Sequence, residues 1–195
     1  MKIYRVEHPG QFHRFYNLLF PVTSNKYFEI WKHLEKDPDW NVLEIGCGTG
    51  LYSNLLRQDF ANFVATDVSH DMLAELNKNY PEIKTMQADA TNLAQFKDKT
   101  FDFVFCMSVL HHIDEGQRVQ ALREMRRVLK PGGYVAVFEP YARHPVPLLF
   151  QLIQGEPVFT RTYLRAMMAQ ARFDIQVVKP VLLGGVAVMG IGRKG

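Results

Sequence analysis

Val-Leu-Glu-Ile-Gly-Cys-Gly-Thr-Gly, residues 42–50, is the stretch on which the fold turns. An apolar run, 42–45, meets three glycines at alternate positions, and a helical pattern, LYSNLLRQ, follows over 51–58. Such glycines let a backbone turn sharply between strand and helix and let a ligand lie directly against it. A nucleotide-type ligand is implied. The dinucleotide fingerprint G-x-G-x-x-G/A would want a third small residue where Leu51 stands, so a pyrophosphate cofactor fits poorly. Glu44, on the strand itself, disfavours a diphosphate further and suits a cation.

Outward from this loop, short β-branched or aromatic runs alternate with helical patterns. WNVLEI (40–45) is followed by NFVAT (62–66), EIKTMQ (82–87), FDFVFCM (101–107) and YVAVFE (134–139). Between them lie HDMLAELNKNY (70–80) and a helix from about Glu115 to Val128. That rhythm predicts parallel strands joined by right-handed crossovers, with helices on both faces. In the 115–128 helix, Val119, Leu122, Met125 and Val128 or Leu129 form the apolar stripe, Asp114 is the expected cap, and Arg118, Arg123, Arg126 and Arg127 are read as the solvated face. Leu-Lys-Pro-Gly-Gly (129–133) is expected to end it.

At the amino-terminal side, residues 1–39 read as an aromatic-rich helical preface or a lid over the crevice, with Tyr27, Ile30, Trp31 and Leu34 on one face and Pro38 as the stop. On the other side, 140–160 is a proline-rich segment around an apolar run, 145–153, suited to an acceptor-side insertion. A final helix carries Leu164, Met167, Met168 and Ala171 on one face, and FDIQVVKP (173–180) and GVAVMGIGRK (185–194) read as an antiparallel pair. One domain over 1–195, with its cofactor core at 40–139, is the expectation.

Composition narrows the classes. The chain has 195 residues, 47% hydrophobic and 22% charged, so it can bury a core without a disulfide framework or a metal. Its two cysteines read as small buried hydrophobes, and no metal site is expected. Lys+Arg 23 against Asp+Glu 20 leaves a net charge of only +3, too weak to argue for nucleic acid. No targeting peptide or run of membrane-spanning length is read, which gives a cytoplasmic expectation.

Three carboxylates at successive strand ends then define a candidate crevice. Glu44 precedes the glycine loop, Asp67 ends the second strand in VATDVS, and Asp89 follows the third in MQADAT. Asp67 offers two acceptor oxygens suited to both hydroxyls of an adenosine ribose. Asp89 suits an exocyclic adenine amine, and Met72 suits packing on the adenine face. The cationic preference and the ribose grip together point to S-adenosylmethionine, which carries a sulfonium and an ammonium.

VLEIGCGTG, TDVS with Met72 and Leu73, QADA, FDFVFCMSVLHHI and LKPGG resemble, in this order, the motifs of class I S-adenosylmethionine-dependent methyltransferases, particularly the small-molecule branch that includes ubiquinone and menaquinone methyltransferases. The resemblance implies a Rossmann-like doubly wound α/β fold with a seven-stranded sheet in the order 3-2-1-4-5-7-6 and strand 7 antiparallel. It implies cofactor contacts from Gly46, Cys47, Gly48 and Gly50 on the methionine and ribose side. Asp67 and Val68 then meet the ribose, Asp89 and Ala90 the adenine, and Met107 and Ser108 the surroundings of the sulfonium.

Methyl transfer from a sulfonium is an in-line displacement whose reactivity resides in the cofactor, so the protein aligns the acceptor and excludes water. A base is needed only for a hydroxyl or an acidic carbon. His111, His112 and Glu139 are the proton-transfer candidates, and Phe15, Tyr16, Tyr141 and His144 the acceptor-side candidates. The reading is a methyltransferase for a small, apolar or amphiphilic acceptor, monomeric or homodimeric, with peripheral membrane contact left open at 145–153. The alternatives are a protein or RNA methyltransferase and a non-catalytic S-adenosylmethionine-binding partner subunit. A nicotinamide-dependent oxidoreductase is disfavoured by Leu51.

Overall fold

The structure is a computed structural model in which residues 29–141, 157–181 and 187–195 are described. Seven strands form one sheet: β1 (Asn41–Ile45), β2 (Asn62–Asp67), β3 (Thr85–Gln87), β4 (Phe101–Met107), β5 (Leu129–Pro140), β6 (Asp174–Val181) and β7 (Ala187–Arg193). Their order is β3-β2-β1-β4-β5-β7-β6. β1 to β5 pair in parallel, and β7 runs antiparallel to both β5 and β6. The expected sheet order is therefore observed. The chain reverses direction of travel between β1 and β4, which puts a ligand crevice at their carboxyl ends.

Among the described residues, α1 (Ser53–Asp59), α2 (His70–Asn79), α3 (Glu115–Val128) and α4 (Arg161–Gln170) flank the sheet. Strand alternation divides the core in two. Val42, Ala65, Phe103, Phe105, Ala136 and Phe138 face Leu56 of α1 and Leu73 and Leu76 of α2. Leu43, Ile45, Val104, Cys106, Val135 and Val137 face Leu122 and Met125 of α3 and Leu164 and Met168 of α4. Both sheet faces are thus covered, as parallel strands require. Gly190 and Gly192 of β7 lie under α4, where an added Cβ would stand 2.6 Å from the Met168 sulfur and 2.9 Å from Phe173, respectively.

Several local expectations change. The helix before β1 stops after Trp31, ahead of Pro38, with the His33 and Leu34 amides bonded back to the Ile30 carbonyl. Ile30 and Leu34 are buried against the α1/α2 face, and Trp31 meets Phe60 and Phe103, so this part of the preface is core rather than lid. The third strand is only three residues long. Asp114 makes no side-chain cap bond, and Leu129–Gly133, which follows the end of α3 at Val128, is the first part of β5, with a left-handed residue at Gly132 (φ 81°).

The reading of the α3 arginines as a solvated face fails at Arg118, which is buried. Its Nε donates to the Leu110 and Ile113 carbonyls and its Nη1 to the Tyr163 hydroxyl. Phe15, Tyr16, His144 and the apolar run 145–153 lie outside the described residues. Among the described residues, no helix is long and apolar enough to cross a membrane.

Candidate active site

The glycine loop leaves β1 in a conformation that L-side chains rarely adopt, with φ of 68° at Gly46, 53° at Gly48 and 92° at Gly50. The three differ in what they face. A Cβ on Gly46 would stand 2.3 Å from the Val109 side chain, and one on Gly50 would stand 2.8 Å from Leu76. At Gly48 it would meet nothing within 4 Å. The outer glycines are fixed by packing, whereas the middle one opens onto free space at the sheet's carboxyl edge.

Asp67 closes that space from β2. One carboxylate oxygen accepts the Gly48 amide at 2.9 Å and the other accepts the Ser69 amide at 2.8 Å. Burial raises its pKa, and these backbone donors work against the rise. Each oxygen keeps further acceptor capacity for a ligand hydroxyl. Ser69 caps α2 by accepting from the Met72 amide, which fixes half-buried Met72 one turn above Asp67.

Glu44 lies on the α1/α2 side of β1, buried, accepting from the Ser53 hydroxyl at 2.5 Å. Desolvation pushes its carboxyl up to about 8, opposed by the Ser53 bond and aided by the nearby Asp67 charge. This changes the expected picture. In the ligand-free protein Glu44 is largely protonated at neutral pH, so it is a group that a cationic ligand would ionise rather than a standing negative charge. Cys47, buried beside it, has its thiol pushed up by burial and accepts no reactive role.

After β3, Asp89 forms a tight turn in which one oxygen accepts both the amide and the hydroxyl of Thr91, each at 2.8 Å. Ala90 beside it is buried. Gln87 reaches the Val68 carbonyl at 2.8 Å, tying the ends of β2 and β3 together.

At the end of β4, half-buried Met107 leads into Ser108, which is left-handed (φ 56°) and bonds its amide to the Phe138 carbonyl. The following turn contains both histidines. Its amides converge on Glu139 from β5: Val109 at 3.1 Å, Leu110 at 2.7 Å and His111 at 3.3 Å. The His111 ring joins them through Nδ1, 2.7 Å from Oε2. Glu139 is fully buried and fully engaged, so it does not stand open above the sheet as a direct acceptor or cation ligand. His112 packs on His111 with ring centroids 3.9 Å apart and planes tilted by 46°, and burial, followed by the His111 ring, pulls its pKa down to about 3. Tyr141 is buried beside Phe159, beyond the same strand.

Thus Glu44, Gly46, Cys47, Gly48, Gly50, Asp67, Val68, Met72, Asp89, Ala90, Met107 and Ser108 ring the carboxyl ends of β1 to β4, with the His111–Glu139 pair at the next interval. Sequence reading missed Ser53, Val109 and Arg118. Of these only Arg118 left a signal, since it shares the 118/122/125 stripe with buried Leu122 and Met125.

The family described as Methyltransferase domain matches residues 43–137, from the first strand through the fifth. Residues 43–137 are thus a methyltransferase domain, and the sheet order is the one expected of class I S-adenosylmethionine-dependent methyltransferases. It is 34% identical over 131 residues to a tRNA (carboxymethyluridine(34)-5-O)-methyltransferase of Arabidopsis thaliana, covering 64% of this chain and 31% of that one. It is equally 34% identical over 131 residues to a demethylmenaquinone methyltransferase of Beutenbergia cavernae, covering 65% and 53%. This methyltransferase domain thus spans about a third to a half of the curated relatives it matches. Its fold is similar to that of a methyltransferase from Methanosarcina mazei, with a TM-score of 0.70, 21% identity and coverage of 85% and 96%. The cofactor of this family is S-adenosylmethionine, and the residues present fit it: an open position over Gly48, a two-oxygen acceptor at Asp67 and a carboxyl at Glu44 that a cation would ionise.

Proposed function

We propose that this chain transfers the methyl group of S-adenosylmethionine to a small, apolar or amphiphilic acceptor. The observation that carries the methyl-transfer reading is the free space over Gly48, closed from the side by Asp67 and walled by the strained Ser108 turn. When bound, the cofactor supplies an electrophilic methyl on a sulfonium. Asp67 holds the ribose hydroxyls, and Asp89 with Ala90 orients the adenine. Met72 covers the adenine, and Met107 and Ser108 border the methyl. The protein's contribution is alignment in a site shielded from water, which is worth on the order of 7–11 kcal/mol of barrier.

Charge placement supports a small acceptor. Lys99, Arg126, Arg127, Lys130 and Lys194 gather where β4 and β5 begin, at the sheet's amino edge, with the Lys99 amide on Arg127 and the Lys194 ammonium on the Leu129 carbonyl. Among the described residues this basic cluster lies at the edge opposite Gly48, whereas an RNA acceptor would need phosphate contacts nearer the methyl. The competing reading is a tRNA acceptor, favoured by the Arabidopsis relative. Transfer of labelled methyl to quinols or other small extractable acceptors, with bulk tRNA left unlabelled, is the expected result. Label found in tRNA alone overturns the acceptor assignment, and no label anywhere despite cofactor binding returns the silent-partner reading.

A further inference from the structure

The turn that follows β4 is held at its two ends by opposite charges. At its start the amides of Val109, Leu110 and His111 all donate to buried Glu139 of β5, at 3.1, 2.7 and 3.3 Å. At its far end the carbonyls of Leu110 and Ile113 both accept from Nε of buried Arg118, each at 3.0 Å. A short helical turn leaves donors free at its beginning and acceptors free at its end, so an anion at one and a cation at the other satisfy it and agree with its dipole. Arg118 is itself placed by the Tyr163 hydroxyl of α4, 3.1 Å from Nη1, and by the Phe159 ring, 5.2 Å from the guanidinium carbon. Between these two charges Ser108 enters the turn left-handed, with its amide on the Phe138 carbonyl. The Val109 side chain then lies directly on Gly46 of the cofactor loop, where any added Cβ would fall inside its Cγ2 methyl.

We propose that Val109 is a positioning residue of methyl transfer: clamped through its turn by Glu139 and Arg118, its side chain sets how far the Gly46 corner of the methyl-donor loop can open. The inference rests on the methyl-transfer reading and deepens it by naming the residues that fix the loop from behind. The loop is braced at both outer glycines, by Val109 at Gly46 and by Leu76 at Gly50, and stays open at Gly48 between them. The two braces differ in their support. Leu76 is fully buried in α2, whereas Val109 is half-buried and belongs to a short turn, so it is the brace that needs a clamp of its own. A misplacement of about 1 Å in a part that aligns a reacting group can cost on the order of 100-fold in rate, so a stop of this kind bears on the reaction from outside the reacting atoms.

Calorimetric titration of the full chain with S-adenosylmethionine tests the proposal. Val109→Ala removes the stop and should weaken binding by about 10-fold, while Val109→Thr, which has the same shape, should stay within about threefold. Gly46→Ala drives a methyl into Val109 and should weaken binding by about 100-fold or more. The deciding result is the double variant. Truncating Val109 leaves its Cβ 3.4 Å from the added methyl, an ordinary contact, so Gly46→Ala combined with Val109→Ala should bind about 10-fold more tightly than Gly46→Ala alone, the strain of a side chain at φ 68° remaining in both. Glu139→Gln and Arg118→Met should each weaken binding by about as much as Val109→Ala, and adding Val109→Ala to either should weaken it little further. No rescue in the double variant overturns the proposal, and so does a Val109→Ala loss that adds in full on the Glu139 and Arg118 backgrounds. Absence of cofactor binding by the wild type would instead remove the methyl-transfer reading itself.

Discussion

Glu44 and Glu139 are both glutamates, both buried, and two strands apart on opposite faces of one sheet. Their surroundings differ completely. Glu44 has one hydroxyl donor, Ser53, and burial drives its carboxyl up to about 8. Glu139 has three amides and an imidazole. The first is a buried carboxyl with a single side-chain donor, and the second is an anchor whose partners come from the fold. Burial alone says little about a carboxylate, and the donor count decides whether it waits for a ligand or organises a loop.

The largest effect that separates the two is a stability gradient with pH. In the ligand-free protein Glu44 holds a proton that the unfolded chain, with an ordinary carboxyl near 4.5, has already released between about 4.5 and 8. Through this group the folded state binds more protons across that window and its contribution falls as pH rises, but His112, pulled down to about 3, contributes the opposite slope up to about 6.5, so the net fall shows between about 6.5 and 8. The full cost, on the order of 5 kcal/mol, is reached above the folded-state value. Denaturation between about pH 6.5 and 8 should show this slope in wild type and lose it in Glu44→Gln. A flat wild-type profile would mean that Glu44 has donors beyond Ser53.

Removing the anchor comes next. Glu139→Ala strips the acceptor from three buried amides and a histidine, for an expected loss of about 4 kcal/mol. That corresponds to a thermal midpoint lower by roughly 10 °C for a chain of this size. A change under about 1 kcal/mol would show that the turn after β4 holds itself. Asp67→Asn is smaller in free energy and falls on binding: weakening the ribose grip should reduce S-adenosylmethionine affinity by about 30-fold in calorimetry, with folding little changed.

The smallest effect tests the distance of this comparison from ordinary packing. Gly190→Ala would push a methyl toward the Met168 sulfur, whose flexible chain yields in part. A loss of about 1 kcal/mol with unaltered cofactor affinity is expected. Weakened cofactor binding in this variant would show that α4 is coupled to the site.

The sheet order was legible because parallel strands buried on both faces read as continuous apolar runs, and because α3 carries a clean stripe. Boundaries were less so: EIKTMQ yields a strand only over Thr85–Gln87, and the helix before β1 stops well short of Pro38. On the cofactor side, the glycine spacing and the aspartates at strand ends were readable since backbone geometry there depends on residue type. The contrast between the carboxylates was not. Ser53 is nine residues from Glu44, and the amides that satisfy Glu139 carry no side-chain signature; they meet it only because β4 and β5 are neighbours. Arg118 was misread as exposed because charge was allowed to outweigh its place on the apolar stripe.

Titration calorimetry of the ligand-free protein with S-adenosylmethionine and with NAD tests the central claim directly. One S-adenosylmethionine should bind per chain, with protons released on binding near neutral pH as Glu44 ionises, and NAD should not compete. Preferential binding of NAD, or no measurable binding of S-adenosylmethionine, would contradict the account.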